Sequence, residues 1–262
     1  MNFIQHLEGL LDERDICTSN FEPKFCSDWT HIYQFKPLAV ATPRTSEQVS
    51  SLVKAACEYS VPIVPMSGNT GLVGGTFAQN SLIISLEKMN KVIKVNTGSN
   101  LVTVESGVIL SALHSELATL NLTFPVTFGA RGSAMIGGIL SSNAGGSNVL
   151  KYGNARDLCL GIEVVLPTGQ ILDLMSELHK DNSGFDLKNL MIGSEGTLGI
   201  ITKAILKVFP TPKKYFTAFI GLKKNFLFTK SMINKSFNLN NFFTKKAIMA
   251  FKQYQTHFKN ES

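Results

Sequence analysis

The feature that most constrains this chain is a glycine-rich loop placed directly after a predicted βαβ unit. Residues 37–42 and 61–65 are short apolar runs that predict buried strands. A helical repeat of apolar residues lies between them, and Ser46 is the predicted N-cap of that helix. Two strands joined in this way normally run parallel through a right-handed crossover. Residues 68–75 then hold four glycines, so backbone is exposed where a buried strand ends.

The composition of residues 67–76 is that of an anion-binding loop. Glycines allow positive φ and leave backbone N–H groups uncovered, and successive N–H groups form nests that hold phosphate oxygens. Asn69, Thr70 and Thr76 could add side-chain hydrogen bonds, whereas no lysine lies in the loop. Neither G-x-G-x-x-G nor G-x-x-x-x-G-K-[ST] occurs, which argues against a Rossmann site and a P-loop. The alternative interpretation is a long surface turn.

A second glycine-rich segment, residues 129–153, alternates small and apolar residues. Such a segment lets a flat ligand approach the backbone closely, but a closely packed helix with glycine caps explains the spacing equally well. The two segments lie about 60 residues apart. Together they suit a ligand with phosphates at one place and a ring system at another.

The remaining pattern predicts an α+β domain with two subdomains. We expect a strand at 82–86, a strand pair at 91–95 and 101–105, a helix at 109–120, a hairpin at 158–166 and 170–174, a short helix at 186–191 and a strand at 198–208.

The net charge of +6 is unevenly distributed along the chain. Residues 1–214 carry 17 Lys and Arg against 18 Asp and Glu, whereas residues 215–262 carry eight lysines against one glutamate. The first part therefore does not resemble a basic nucleic-acid binder. Of 21 glycines only Gly221 lies beyond residue 214, and nine of 18 phenylalanines do. The interleaved Phe and Lys suggest either binding to anionic surfaces or, as we favour, a solvated end.

Cysteines and histidines show no metal-binding spacing, and we expect no metal site, including none at His257. The four cysteines predict reduced thiols, with Cys57 and Cys159 buried. His114 is expected to be structural. Residues 1–15 predict an amphipathic helix instead of a signal peptide, and no apolar stretch is long enough to span a membrane, so we expect a cytoplasmic protein.

Six ordered motifs resemble the FAD-linked oxidases of the vanillyl-alcohol oxidase type, with a PCMH-type FAD-binding domain. They begin with P-x-S-G-N-T-G-L-V-G-G-T, followed by G-S-A-M-I-G-G, S-N-A-G-G, K-Y-G and G-x-E-V-V-L-P-T-G, and they end with D-N-S-G-F-D-L-K-N-L-M-I-G-S-E-G-T-L-G-I-I-T. Within this family, the chain is most similar to D-2-hydroxyglutarate, D-lactate and glycolate dehydrogenases. Residues 28–30 and 180–182 strengthen the similarity to the hydroxyglutarate type. The resemblance implies an FAD domain at 33–213 in which two α/β subdomains hold the cofactor between them, after an N-terminal helical extension at 1–32.

The resemblance also implies which residues contact FAD. These are Ser67, Gly68, Asn69, Thr70, Gly71, Leu72, Gly74 and Gly75 at the pyrophosphate, Gly132, Ser133, Ile136, Gly137, Gly138, Ser142, Asn143, Gly145 and Gly146 along the flavin, and Glu195, Gly196, Gly199, Ile200 and Ile201 at the C-terminal border. The family pattern differs at three positions, where this chain has Ser67, Thr127 and Ile139. Because no histidine lies in the first loop, we expect non-covalent FAD.

The resemblance further implies a longer enzyme that oxidises a small 2-hydroxy acid to a 2-oxo acid. Its catalytic residues would lie in a substrate-binding cap, of which 214–262 would contain only the start, followed by a divergent basic tail. We therefore expect a truncated or frameshifted product. The alternatives are a catalytically silent FAD-binding chain or one subunit of a split enzyme whose cap is another chain.

Overall fold

The computed structural model describes residues 2–213, and Met1–Lys213 forms one compact unit. The predictions for 214–262, including the start of a cap and the basic tail, lie outside the described residues. The elements follow in the order α1 (Phe3–Glu8), β1 (Ile16–Cys17), β2 (Ala39–Ala41), α2 (Ser46–Glu58), β3 (Ile63–Met66), β4 (Leu82–Ser85), β5 (Val92–Asn96), β6 (Leu101–Glu105), α3 (Leu110–Ala118), β7 (Leu122–Thr123), α4 (Ile136–Ser141), α5 (Val149–Tyr152), α6 (Ala155–Leu158), β8 (Cys159–Val165), β9 (Ile171–Leu174), α7 (Leu187–Met191), β10 (Ile200–Lys207) and β11 (Phe209–Pro210).

The first lobe is a four-stranded sheet in the order β1-β2-β4-β3, in which β2 and β3 both run parallel to β4. Alternate residues of its strands face opposite sides. Leu82 and Ile84 pack in one cluster with Leu52 of α2, whereas Ile83 packs in another cluster with Phe35. Because both faces are covered, the strands appear in the sequence as continuous apolar runs.

The second lobe is a five-stranded antiparallel sheet in the order β5-β6-β10-β8-β9. The predicted strand pair and hairpin are confirmed, and helices α3, α4 and α6 contribute to the core on this sheet. His114 on α3 is structural as expected, since its Nε2 lies 2.8 Å from the carbonyl oxygen of Phe124. The structure thus confirms an α+β fold of two subdomains.

The two lobes meet where α2 of the first lobe contacts β8 of the second. Glu163 on β8 accepts hydrogen bonds from the hydroxyl of Ser46 and from that of Thr202 at 2.7 Å. The prediction that Ser46 is the N-cap of α2 was wrong, because Thr45 has the capping position and accepts from the amide of Gln48 at 3.2 Å. Ser46 instead lies in the first turn and links the lobes.

One of the two cysteine predictions was wrong. Cys159 is buried, which raises the pKa of its thiol to about 12 and makes it unreactive. Cys57, however, is exposed near the last residue of α2. A helical repeat predicts the direction of a side chain but not how far the covering elements extend. Among the described residues, no helix is long and apolar enough to cross a membrane.

A buried carboxylate anchors the N-terminal segment to the first lobe. Asp15 is 2% exposed and accepts two hydrogen bonds from the guanidinium of Arg44, at 2.9 and 3.1 Å. It also pairs with the ammonium of Lys88. The hydrogen bond from Arg44, with the further contribution of Lys88, lowers the pKa of Asp15 from 3.8 to about 2. The segment before β2 is therefore held by charge as well as by packing.

Replacing Asp15 with Asn removes this negative charge and leaves the two cations beside a neutral amide. We expect Asp15→Asn to lower the free energy of unfolding at pH 7 by about 2 kcal/mol, the scale of hydrogen bonds to a charged group. Urea unfolding measures the change. Because the pKa of the folded state is about 2 instead of 3.8, the wild-type advantage is present at neutral pH and is lost as the pH falls from 3.8 through 2.

Asp12→Asn is the matched control, because the carboxylate of Asp12 pairs with Arg14 at 3.4 Å and both side chains are exposed. Its expected effect is below about 0.5 kcal/mol. Equal losses in the two variants would contradict the role of the buried network.

Candidate functional site

A cleft of about 520 Å³ lies between the two glycine-rich segments and the turn that precedes β10. Most of the residues expected at the cofactor line it. They are Ser67, Gly68, Asn69, Thr70, Gly71, Leu72, Gly75, Gly137, Gly138, Ser142, Gly145, Gly146, Glu195, Gly196, Gly199, Ile200 and Ile201. The structure therefore brings together three sequence segments, of which the first and the last are more than 100 residues apart in the chain.

Five residues expected at the cofactor do not line the cleft. Gly74 turns the loop at φ +71° against the ring of Tyr33, and Gly132 lies in open space. Ile136 is fully buried in the core. Asn143 adopts φ +47°, and its side chain accepts from the amide of Arg156 at 3.0 Å. The fifth residue is Ser133, whose carbonyl oxygen approaches Gly68.

Sequence reasoning missed eleven lining residues, most of them apolar or small. They are Pro65, Met66, Val73, Leu86, Phe128, Ala130, Ala134, Met135, Ile139, Ser141 and Ala144. Most of them lie within the two glycine-rich segments or beside them. The signal that could have found them is their position next to the glycines, since a ligand that contacts exposed backbone also contacts the neighbouring side chains.

The first loop presents a run of unpaired backbone amides. Within residues 2–213, no N–H group from Gly68 to Thr76 donates to a protein acceptor. Unpaired amides in a cleft require acceptors from a ligand or from water. Four of these residues are glycines, and the sequence analysis predicted an anion-binding loop from the composition of this segment.

Asn69 holds the loop in shape with its side chain. Its Nδ2 donates to the carbonyl oxygens of Lys24 and Ser27, at 3.0 and 2.8 Å, and its Oδ1 accepts from the hydroxyl of Thr76 at 2.7 Å. The backbone of Asn69 is left-handed, with φ +46°, a conformation that Asn tolerates well. The side chains of Asn69 and Thr76, considered above as ligand contacts, are therefore used to build the loop.

The two glycine-rich segments touch at Gly68. A Cβ atom at this position would lie 2.1 Å from the carbonyl oxygen of Ser133, so only glycine fits. Beside it, the amide of Gly138 donates to the hydroxyl of Ser67 at 3.3 Å. This contact joins the loop after β3 to the segment that leads into α4, and it forms the floor of the cleft.

The third wall is fixed to the end of α4. The amide of Gly193 donates to the carbonyl of Leu140 at 3.0 Å, and that of Glu195 to the carbonyl of Ser141 at 2.9 Å. Arg156 supports the same wall, since its guanidinium donates to the carbonyl oxygens of Asn189 and Ile192. The turn at 193–196 is thus positioned by backbone and by one arginine from α6.

The lining of the cleft is nearly uncharged. Glu195 is the one charged residue among its described lining residues, which include no Lys, Arg, His or Tyr. Within 2–213, no group of three or more His, Cys, Asp or Glu is arranged to hold a metal ion. Any anion in this cleft would be held by backbone dipoles and not by side-chain cations.

Comparison with known families matches residues 37–175 to the FAD binding domain family. This chain belongs to that family. The resemblance inferred from the motifs is confirmed, and the cofactor of the domain is FAD. The site fits this cofactor, because the unpaired amides of the first loop suit a diphosphate and the cleft has the size of a cofactor site.

Two curated relatives indicate the kind of enzyme in which this domain occurs. D-2-hydroxyglutarate dehydrogenase of Xanthomonas citri pv. viticola is 44% identical over 186 residues, which are 71% of this chain and 39% of that protein. The mitochondrial D-2-hydroxyglutarate dehydrogenase of Arabidopsis thaliana is 36% identical over 90% of this chain and 43% of its own length. The chain thus spans about two fifths of the length of these relatives.

A solved structure of alkyldihydroxyacetonephosphate synthase has a similar fold. The TM-score is 0.71 at 26% identity, and the match covers 81% of this chain and 41% of the synthase. The fold of residues 2–213 is therefore that of the FAD domain in this group of flavoenzymes.

Alanine substitutions at Gly68 and Gly71 test which of the two glycines is required by close packing. Gly68→Ala places a methyl group 2.1 Å from a backbone oxygen, so we expect a loss of about 2 kcal/mol in the free energy of unfolding. Gly71→Ala meets no atom within 4 Å, so we expect a change within about 0.5 kcal/mol. Urea unfolding of both variants checks this, and a neutral Gly68→Ala would contradict the close approach.

Proposed function

We propose that the chain binds FAD non-covalently in the described cleft, as the flavin half of a D-2-hydroxyacid dehydrogenase. The observation that carries this proposal is the run of unpaired amides from Gly68 to Thr76. These amides would hold the diphosphate, which could approach the backbone most closely at Gly71, where no other atom lies nearby. Gly137, Gly138, Ser142, Gly145 and Gly146 would border the flavin half of the cofactor.

In such an enzyme, FAD supplies a two-electron acceptor for the oxidation of a 2-hydroxy acid. The described residues bind and orient the cofactor and keep water from one side of it with apolar residues such as Met135 and Ile139. Oxidation also needs a base for the hydroxyl proton and cations for the substrate carboxylate. No basic side chain lies in the described lining. We therefore place those groups outside residues 2–213, on this chain or on a separate subunit.

The substrate class comes from the relatives, whose names specify D-2-hydroxyglutarate. Anaerobic mixing of the FAD-loaded full chain with D-2-hydroxyglutarate, D-lactate or glycolate tests this. Bleaching of the flavin by one of them supports a complete dehydrogenase. A stable yellow protein that none of them bleaches supports the alternatives, a silent FAD-binding chain or one subunit of a split enzyme.

For location, we propose a reducing compartment, and the cytoplasm in particular. All four cysteines are free thiols, as is usual where thiols are kept reduced. The relative from Arabidopsis thaliana is named as mitochondrial, so cell fractionation decides between the two compartments.

FAD binding itself is tested with a pair of glycine variants. Gly71→Ala adds a methyl group over the unpaired amides, so we expect about a tenfold weaker affinity for FAD, the scale of one lost charge-assisted hydrogen bond. Gly129→Ala is the matched control, since a Cβ atom there also meets nothing within 4 Å and Gly129 does not line the cleft. Quenching of flavin fluorescence measures both affinities.

Two outcomes would count against the proposal. A wild-type chain that binds no flavin would contradict the site as a whole. Equal FAD affinities of Gly71→Ala, Gly129→Ala and the wild type would show that the cofactor does not contact the first loop.

A further inference from the structure

The first loop, residues 67–76, does not hold its conformation through its own amides. Within residues 2–213, none of the N–H groups from Gly68 to Thr76 donates to a protein acceptor. The loop also contains four glycines, the residue type with the most backbone freedom to lose. Binding a ligand to such a loop costs conformational entropy unless other parts of the protein order the loop beforehand.

Residues 27–33 form a turn, the N-terminal turn, that is organised by a buried carboxylate. Asp28 is 1% exposed, and its carboxylate accepts hydrogen bonds from the backbone amides of Thr30 and Tyr33 at 3.2 and 3.1 Å. The amide of Asp28 donates in turn to the carbonyl oxygen of Tyr33 at 3.3 Å. Both backbone polar groups of Tyr33 are therefore fixed by one residue, which sets the position of the Tyr33 side chain.

The N-terminal turn contacts the first loop at two places. At the start of the turn, the carbonyl oxygen of Ser27 accepts from Nδ2 of Asn69 at 2.8 Å. At its end, the ring of Tyr33 packs against Gly74, where a Cβ atom would lie 2.6 Å from Cε2 of the ring. Gly74 has φ +71°, so the ring occupies the space that a side chain of this residue would need. The part of the loop between these two contacts is thereby restricted by the turn.

The ring of Tyr33 is connected to the core of the first lobe through two further rings. Tyr33 meets Phe77 edge to face, with ring centroids 6.2 Å apart, and Phe77 meets Phe35 in the same way at 5.7 Å. Such aromatic pairs stabilise more than their buried area alone. Phe35 lies in the buried cluster that includes Ile83 of β4. Tyr33 and Phe77 are not among the described residues that line the cleft, so they support the loop from its other side.

We propose that Tyr33 is a positioning residue for the cofactor, because its ring holds Gly74 and keeps the first loop in the conformation that presents its amides. This inference rests on the proposed binding of FAD in the cleft. The aromatic ring has this role and the hydroxyl does not, since the hydroxyl has no hydrogen-bond partner in residues 2–213. Tyr33 acts on the cofactor only through the loop.

Three variants of the full chain test the proposal. Tyr33→Ala removes the ring, and the variant should fold because Tyr33 is 46% exposed. Tyr33→Phe keeps the ring and removes only the hydroxyl. Tyr59→Ala is the matched control, because it removes a tyrosine ring that contacts Phe3 at a centroid distance of 5.7 Å but precedes β3, at the opposite end of that strand from the loop. FAD affinity is measured by quenching of flavin fluorescence, and urea unfolding of each variant is recorded beside it.

We expect Tyr33→Ala to bind FAD about tenfold more weakly than the wild type, the effect of about one further backbone residue that must be ordered on binding. Tyr33→Phe and Tyr59→Ala should stay within about twofold of the wild-type affinity. A general loss of stability would weaken FAD binding in Tyr33→Ala and Tyr59→Ala alike. Rescue by Tyr33→Phe separates the ring contact from any role of the hydroxyl.

The proposal is overturned if Tyr33→Ala keeps the wild-type affinity, or if Tyr33→Phe or Tyr59→Ala loses as much affinity as Tyr33→Ala. If Tyr33→Ala does not fold, Tyr33→Leu replaces it with the same expectation, since leucine has no flat ring to place against Gly74. A wild type that binds FAD while these outcomes fail rejects the role of Tyr33 alone. A wild type that binds no FAD rejects the site and, with it, this inference.

Discussion

The contact on which the cleft depends is the approach of the Gly68 backbone to the carbonyl of Ser133. A side chain at residue 68 would lie 2.1 Å from that oxygen, so the contact exists only because glycine has no Cβ atom. It brings the loop that ends β3 in the first lobe against the segment that begins α4 in the second. The lobes are also joined at Glu163, but that junction uses side chains and lies at α2. At the cleft, by contrast, the lobes are joined by a contact between two backbone segments, at Gly68 and Ser133.

Polar side chains and backbone amides have different roles in this cleft. Polar side chains near the cleft mostly build it, as Asn69 does by tying the first loop to the carbonyl of Ser27 and Asn143 by holding the amide of Arg156. The backbone amides are then left for the ligand. Because these polar side chains form hydrogen bonds within the protein, the hydrogen-bond donors that remain in the cleft are mostly backbone amides. Glu195 is the one charged residue of the described lining, and its carboxylate, like the hydroxyls of Thr70 and Ser141, has no hydrogen-bond partner among the described residues.

Much of the fold could be predicted because hydrophobic periodicity reports which face of an element is covered. The hairpin of β8 and β9 and the buried strand β4 are examples. The cleft could be located because glycines mark exposed backbone. The sequence pattern did not predict the exact start of α2, since Thr45, one residue before Ser46, has the capping position. It also did not predict that the side chain of Ile136, which lies among the glycine motifs, is buried in the core. Spacing along the sequence cannot distinguish a glycine with open space beside it, such as Gly71, from a glycine that lets another backbone segment approach, such as Gly68.

The absence of cations from the described lining of the cleft has a consequence for how a nucleotide is retained there. Charged side chains attract phosphates over several ångströms and lose this attraction as ionic strength rises. Amide dipoles act at hydrogen-bond distance and are aligned only while both lobes keep their positions. Retention would then be nearly insensitive to salt but strongly dependent on the integrity of the domain. A nucleotide bound to these amides would in turn stabilise the folded domain.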